Sequence, residues 1–164
     1  GKRNNIMPCR AADWRLTMKD IMKLEFPALS EYESFARVAV AAFIARLDPT
    51  IVEINEIKTA ISECVTNSVI HGYKEKGGTV YIECEIDDAN IRLSVSDKGC
   101  GIEDVKKART PMFTTNPDGE RSGMGFTVME TFMDKVDVIS EPGKGTTVIL
   151  YKNVAAGEEG VRCG

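Results

Sequence analysis

Two alternating runs place the tightest limit on this fold. In TVYIECEI (Thr79–Ile86) the apolar residues Val80, Ile82, Cys84 and Ile86 occupy every second position. In IRLSVSD (Ile91–Asp97) Ile91, Leu93 and Val95 do the same, and the turn-forming DDAN lies between the runs. A period of two puts each apolar set on one face of a strand. The pair therefore predicts an antiparallel hairpin with one face dry and the other in water. A dry face must be covered, and three stretches have the period to cover it. SEYESFARVAVAAFIARL (Ser30–Leu47) opens with Ser30 and, three residues on, Glu33, the pattern of a capping box. Phe35, Val38, Ala42 and Leu47 follow at roughly helical spacing, and Pro49 marks the stop. A second helix is predicted from about Thr50 to His71, with Gly72 as its terminating residue, and a third from about Met124 to Asp134. Ile21–Ala28, with Pro27 at its end, reads as an edge strand, and a short helical piece is expected near Ile102–Arg109. VDVIS and TTVILY, joined by EPGKG, form a second hairpin. Helices and strands do not alternate strictly, so the expectation is α+β: a two-layer α/β sandwich with helices on one face of a mixed, mainly antiparallel sheet.

The 164 residues fit one domain, expected over 18–153. Residues 1–17 have no sustained period and read as a leader foreign to the domain, and 154–164 as a flexible tail. A formal net charge of −4 and the absence of a Lys/Arg cluster argue against direct nucleic-acid binding. No apolar run is long enough to cross a bilayer, so no membrane partner is expected. The cysteines, Cys9, Cys64, Cys84, Cys100 and Cys163, form no C-x-x-C pair. Scattered, odd-numbered cysteines point to free thiols in a reducing cytoplasm.

Three stretches carry chemistry. In SECVTNSVIHG (Ser62–Gly72), Glu63, Asn67 and His71 recur at steps of four and share a helix face. Glu63 and Asn67 both offer oxygen, which suits Mg²⁺, and Glu63 can also accept a proton from a hydroxyl. His71, beside Gly72, reads as part of the helix end rather than of the chemistry. In SDKGCGI (Ser96–Ile102), Gly99 and Gly101 permit a tight backbone path just after a strand, and Asp97 can accept a hydrogen bond from an exocyclic amine. In RSGMGFTVME (Arg121–Glu130), a Gly-x-Gly opens a helix, so backbone N–H groups at the positive end of its dipole make a phosphate site. Arg121 adds a charge-assisted contact to a terminal phosphate. The long polar segment Ala108–Gly123 between the two sites is placed to be a lid, and its Thr114 and Thr115 can hydrogen-bond phosphate. In GKGTTVIL (Gly143–Leu150), Thr147 points into the site or away from it depending on a strand register the sequence leaves open.

Taken in order, E-x-x-x-N on a helix, D-x-G-x-G after a strand, a lid, G-x-G at a helix start and G-T-T on a terminal strand resemble the GHKL ATP-binding fold of gyrase, Hsp90 chaperones, histidine kinases and mismatch-repair proteins. Within that superfamily, LEFPALSEYESFARVAVAAFIARLDPT, EIKTAISECVTNSVIHGY, PMFTT and ERSGMGFTVMETFMDKV are similar to the small serine kinases that act as sporulation anti-sigma factors. The resemblance implies ATP or ADP with Mg²⁺ as cofactors. It implies Glu63 as general base, Asn67 as the Mg²⁺ ligand, and Asp97 reading the adenine amine with Gly101 beside it. Arg121, Ser122, Gly123 and Gly125 would surround the phosphates under the lid, and Thr147 would lie near Asp97. It also implies a homodimer with two partners: an RNA polymerase sigma factor, which it sequesters, and an anti-anti-sigma factor, which it phosphorylates on serine. Arg37 is a candidate partner contact. An ATP-gated sigma-binding module without catalysis is the alternative. Two departures stand: Phe126 occupies the place of a third glycine, and the leader before Met18 has no counterpart.

Overall fold

The computed structural model describes residues 19–111 and 125–154. Strand β1 is Asp20–Pro27. A 3-10 turn, Ser30–Tyr32, leads into helix α1, Glu33–Ile44, which ends in a second 3-10 turn. Helix α2 runs Ile51–Thr66 and continues as a π-helical segment, Asn67–Gly72. Strands β2 (Thr79–Asp87) and β3 (Asn90–Asp97) follow, then the short helix α3, Val105–Arg109. Helix α4 is Gly125–Phe132, and β4 (Lys135–Glu141) and β5 (Gly145–Asn153) close the fold. The sheet order is β1-β2-β3-β5-β4, and all four pairings are antiparallel. The sheet is thus the pure form of the mainly antiparallel one expected.

The register aligns the apolar parity of every strand. Leu24 faces Ile82, Ile82 faces Val95, and Val95 faces Val148. The helices cover this face: Ile44, Ile57, Ile61 and Met129 are fully buried together with Ile82, Ile86, Ile91, Leu93 and Leu150. Each such side chain contributes about 1.5–3 kcal/mol on burial. Lys152 on β5 donates to Glu56 Oε2 at 2.8 Å and to the Phe132 carbonyl at 2.8 Å, which fixes α2 and α4 to the sheet end.

Two local expectations are corrected. The capping box is not at Ser30–Glu33: Ser30 sits in the 3-10 turn, and no side chain caps α1. Glu33 instead lies 3.8 Å from Arg37 and accepts from Thr66 Oγ1 at 3.4 Å. The box stands at Thr50, whose Oγ1 accepts from Glu53 N–H at 3.2 Å while Glu53 Oε2 accepts from Thr50 N–H at 2.8 Å. Second, α2 does not stay α-helical to Gly72. The last six residues widen into a π turn, closed by Tyr73 N–H donating to the Ser68 carbonyl at 2.9 Å. Single π turns inside helices concentrate at functional sites.

Candidate functional site

The end of α2, the end of β3 and the start of α4 meet at one end of the sheet. Between them lies a cavity of about 310 Å³, lined by Asn67, Ser68, Asp97, Gly101, Phe126 and Thr146, with Val95, Ile102 and Val148 among its apolar walls. That volume is at the lower end for a small-molecule site, and a mostly apolar wall with a few converging polar groups is the usual design of one.

Glu63 and Asn67 stand one α-helical turn apart at one end. Gly125 opens α4 directly above them: a Cβ there would lie 3.1 Å from Glu63 Oε2 and 3.5 Å from Asn67 Oδ1. The missing side chain therefore lets the start of α4 close onto a carboxylate and an amide that any Cβ would crowd. Cys64 beside them is buried and donates to Met129 Sδ at 3.7 Å. Burial first, and the neighbouring Glu63 charge second, push its thiol pKa far up, so it stays protonated and unreactive.

Asp97 forms the other end. It is 7 % exposed, and both carboxylate oxygens are held: Ser68 Oγ donates to Oδ2 at 3.0 Å and Gly99 N–H to Oδ1 at 3.0 Å. A carboxylate has about four acceptor positions, so two remain. Gly72 permits this packing, because a Cβ there would sit 2.9 Å from Asp97 Cγ. The widened turn also presents its carbonyls to the next loop: Cys100 N–H donates to the Gly72 carbonyl at 2.9 Å and Cys100 Sγ to the His71 carbonyl at 3.1 Å. His71 is exposed at the cavity, shifted from the Glu63–Asn67 row by the π turn, and its described contact is made by the backbone. Gly101, at φ 72°, lines the wall. Arg109 braces α3 there, donating from Nε to Glu130 Oε1 at 2.8 Å and from Nη2 to the Val136 carbonyl at 3.0 Å.

The structure thus brings Glu63, Asn67, Asp97, Gly99, Gly101 and Gly125 around one cavity or its immediate rim. Thr147 is not with them. Register pairs Asp97 with Thr146 and Ser96 with Thr147, and the Thr147 hydroxyl bonds Ser96 Oγ at 2.9 Å on the opposite face of the sheet. Thr146 lines the cavity and shares a hydrogen bond with Ser140 Oγ at 2.8 Å. Thr114, Thr115, Arg121, Ser122 and Gly123 lie outside the described residues. Arg37 is on α1, away from the cavity lining, donating to Ser34 Oγ at 3.0 Å. The residues the sequence reading passed over are Ser68, Gly72 and Thr146. Ser68 carried a signal, a small hydroxyl between the apolar Val65 and Val69 on the inward side of the helix.

The fold and site define an ATPase domain of the histidine kinase type: the family model "Histidine kinase-like ATPase domain" matches residues 26–152. Among curated proteins, the anti-sigma F factor of Clostridium beijerinckii is 58% identical over 132 residues, 80% of this chain and 92% of that protein. That of Geobacillus thermodenitrificans is 58% identical over 139 residues, 84% of this chain and 95% of that protein. The chain belongs to the anti-sigma F factor family of histidine kinase-like ATPase domains. Among solved structures, the RsbU and RsbW domains of Rv1364c from Mycobacterium tuberculosis align with TM-score 0.61 at 21% identity, over 82% of this chain and 32% of that one. The nucleotide-free catalytic domain of histidine kinase ThkA aligns with TM-score 0.51 at 20% identity, over 82% of this chain and 97% of that one. At these identities the likeness is one of fold.

Proposed function

We propose that this chain is an ATP-dependent serine protein kinase that also sequesters an RNA polymerase sigma factor in the cytoplasm, and that its phosphorylation substrate is an anti-anti-sigma factor. The observation that carries the reading is Glu63 beside Asn67 beneath Gly125, at the rim of a cavity that Asn67 lines and whose other end holds the buried Asp97. A site that only bound nucleotide would need Asp97 and the helix N-terminus but no carboxylate at the phosphate end.

In this reading Asp97 accepts a hydrogen bond from the 6-amino group of adenine, and the apolar walls take the ring. The triphosphate then extends toward the N-terminus of α4, where backbone N–H groups and the helix dipole favour negative charge. Arg121, Ser122, Gly123, Thr114 and Thr115 are assigned to the phosphates on their chemistry and sequence position. The oxygen of the Asn67 amide, which lines the cavity, would hold Mg²⁺, and the ion would supply neutralisation of phosphate charge. Glu63 accepts the proton of the substrate serine as its oxygen bonds the γ-phosphorus. The bond from that phosphorus to the β–γ bridging oxygen breaks, and ADP leaves with the electron pair. The names of the similar proteins support the sigma-factor partner. A homodimer with Arg37 among its partner contacts completes the proposal.

Phosphorylation of a purified anti-anti-sigma factor with labelled ATP tests it. Glu63→Gln is expected to lower the transfer rate by 10²–10⁴-fold with nucleotide affinity retained. Transfer by Glu63→Gln at the wild-type rate removes Glu63 from the mechanism. Sigma-factor inhibition by a wild-type chain that transfers phosphate to no partner selects the non-catalytic, ATP-gated module.

A further inference from the structure

Tyr73, the residue that ends the π segment, sits at a junction of three elements. Its hydroxyl donates to the Thr79 carbonyl at 2.7 Å, at the start of β2, and accepts from Lys98 N–H at 2.8 Å, one residue beyond Asp97. Its own N–H closes the π turn on the Ser68 carbonyl, and the Ser68 hydroxyl holds Asp97. The ring lies along Gly78, where no Cβ would fit, and packs against the core, so the phenol has one place to be.

These contacts do something the direct bonds to Asp97 do not. Asp97 is the last residue of β3 and is paired with Thr146 of β5, but on the β2 side the pairing ends at Tyr81 and Ser96. The ladder to β2 therefore stops short of Asp97 and of the loop that follows it, Lys98 and Gly99. The Tyr73 hydroxyl extends that tie, bridging Lys98 N–H to the Thr79 carbonyl of β2. We infer that Tyr73 is a positioning residue for base recognition: its hydroxyl fixes the backbone at Lys98 and thereby holds the Asp97 carboxylate where it meets the exocyclic amine of the purine. This inference rests on the reading of Asp97 as the adenine acceptor.

Tyr73→Phe keeps the ring and removes both hydroxyl bonds. The test compares binding of ATP with that of purine riboside triphosphate, which lacks the 6-amino group, for wild type, Tyr73→Phe and Asp97→Asn, by titration calorimetry. The wild type is expected to prefer ATP, and Asp97→Asn to lose that preference. Tyr73→Phe is expected to weaken ATP by about tenfold, the scale set by losing two hydrogen bonds, while purine riboside triphosphate changes by less than about twofold. The Lys98 amide should exchange its hydrogen faster in the variant. An undiminished ATP preference in Tyr73→Phe overturns the inference while the adenine reading stands. Equal weakening of both nucleotides also overturns it, because Tyr73 is then a prop for the fold. A wild type without preference, or one whose preference survives Asp97→Asn, removes the adenine reading and the inference with it.

Discussion

Replacing Gly125 with alanine separates stability from catalysis at one position. Gly125 is the first residue of α4 and is not among the residues with positive φ, so alanine adopts its backbone without strain. Alanine in a helix is favoured over glycine by up to about 1 kcal/mol, and less than that in the first turn. For a chain of this size, 1 kcal/mol corresponds to about 2–4 °C in Tm, so Gly125→Ala should melt at or slightly above the wild-type temperature. The new methyl would lie 3.1 Å from Glu63 Oε2, closer than an ordinary van der Waals contact, and 3.5 Å from Asn67 Oδ1. Glu63 must move by a few tenths of an ångström, and the close approach of the α4 start to base and amide is lost. A 1 Å misplacement of a catalytic group can cost about 10²-fold, so the shift here should cost roughly tenfold in phosphotransfer. Calorimetric melting and single-turnover transfer from labelled ATP give the two readouts. Transfer within twofold of wild type, with Tm unchanged or higher, would refute the claim that the chemistry depends on the close approach of Gly125 to Glu63 and Asn67.

Thr146→Val should weaken ATP binding several-fold, about 1 kcal/mol for one lost polar contact, whereas Thr147→Val should leave it unchanged; titration of both variants checks the face assignment. Stability should fall at high pH through the buried thiols. Cys84 is pushed up by burial to about 12, from an ordinary 9.0. Because its folded pKa is the higher one, its contribution is complete below about pH 9 and is lost progressively as pH rises toward 12. Each pH unit in that window removes up to about 1.4 kcal/mol per thiol. Urea unfolding at pH 8 and pH 10 should show a loss that Cys84→Val reduces.

The sheet was legible because its chemistry is periodic. Val80, Ile82, Cys84 and Ile86 can share a face only in a strand, and the register then carries Ile91, Leu93 and Val95 with them. Glu63 and Asn67 were legible as a row because the helix keeps its α-helical bond up to Asn67, whose N–H donates to the Glu63 carbonyl. The π turn was not, since no residue type in NSVIHG specifies it; it coincides with the packing of Gly72 over Asp97, a contact 25 residues apart in the chain. The capping box was misplaced because Ser30–Glu33 and Thr50–Glu53 spell the same pattern, and only the backbone entering each helix tells them apart. Thr50 is extended, at ψ 159°, whereas Ser30 already belongs to a 3-10 turn. The resemblance pointed to Thr147, and the residues themselves do not tell which of Thr146 and Thr147 faces the cavity. Val148, Ile149, Leu150 and Tyr151 are all apolar, so the strand shows no alternation from which to read its parity.

The most direct test of the whole account is a crystal structure of the chain with Mg²⁺ and a non-hydrolysable ATP analogue. The account predicts adenine in the cavity with its 6-amino group on Asp97, the metal on the Asn67 oxygen, and Glu63 facing the terminal phosphate. Nucleotide bound outside this cavity, or a metal that does not touch Asn67, would contradict it.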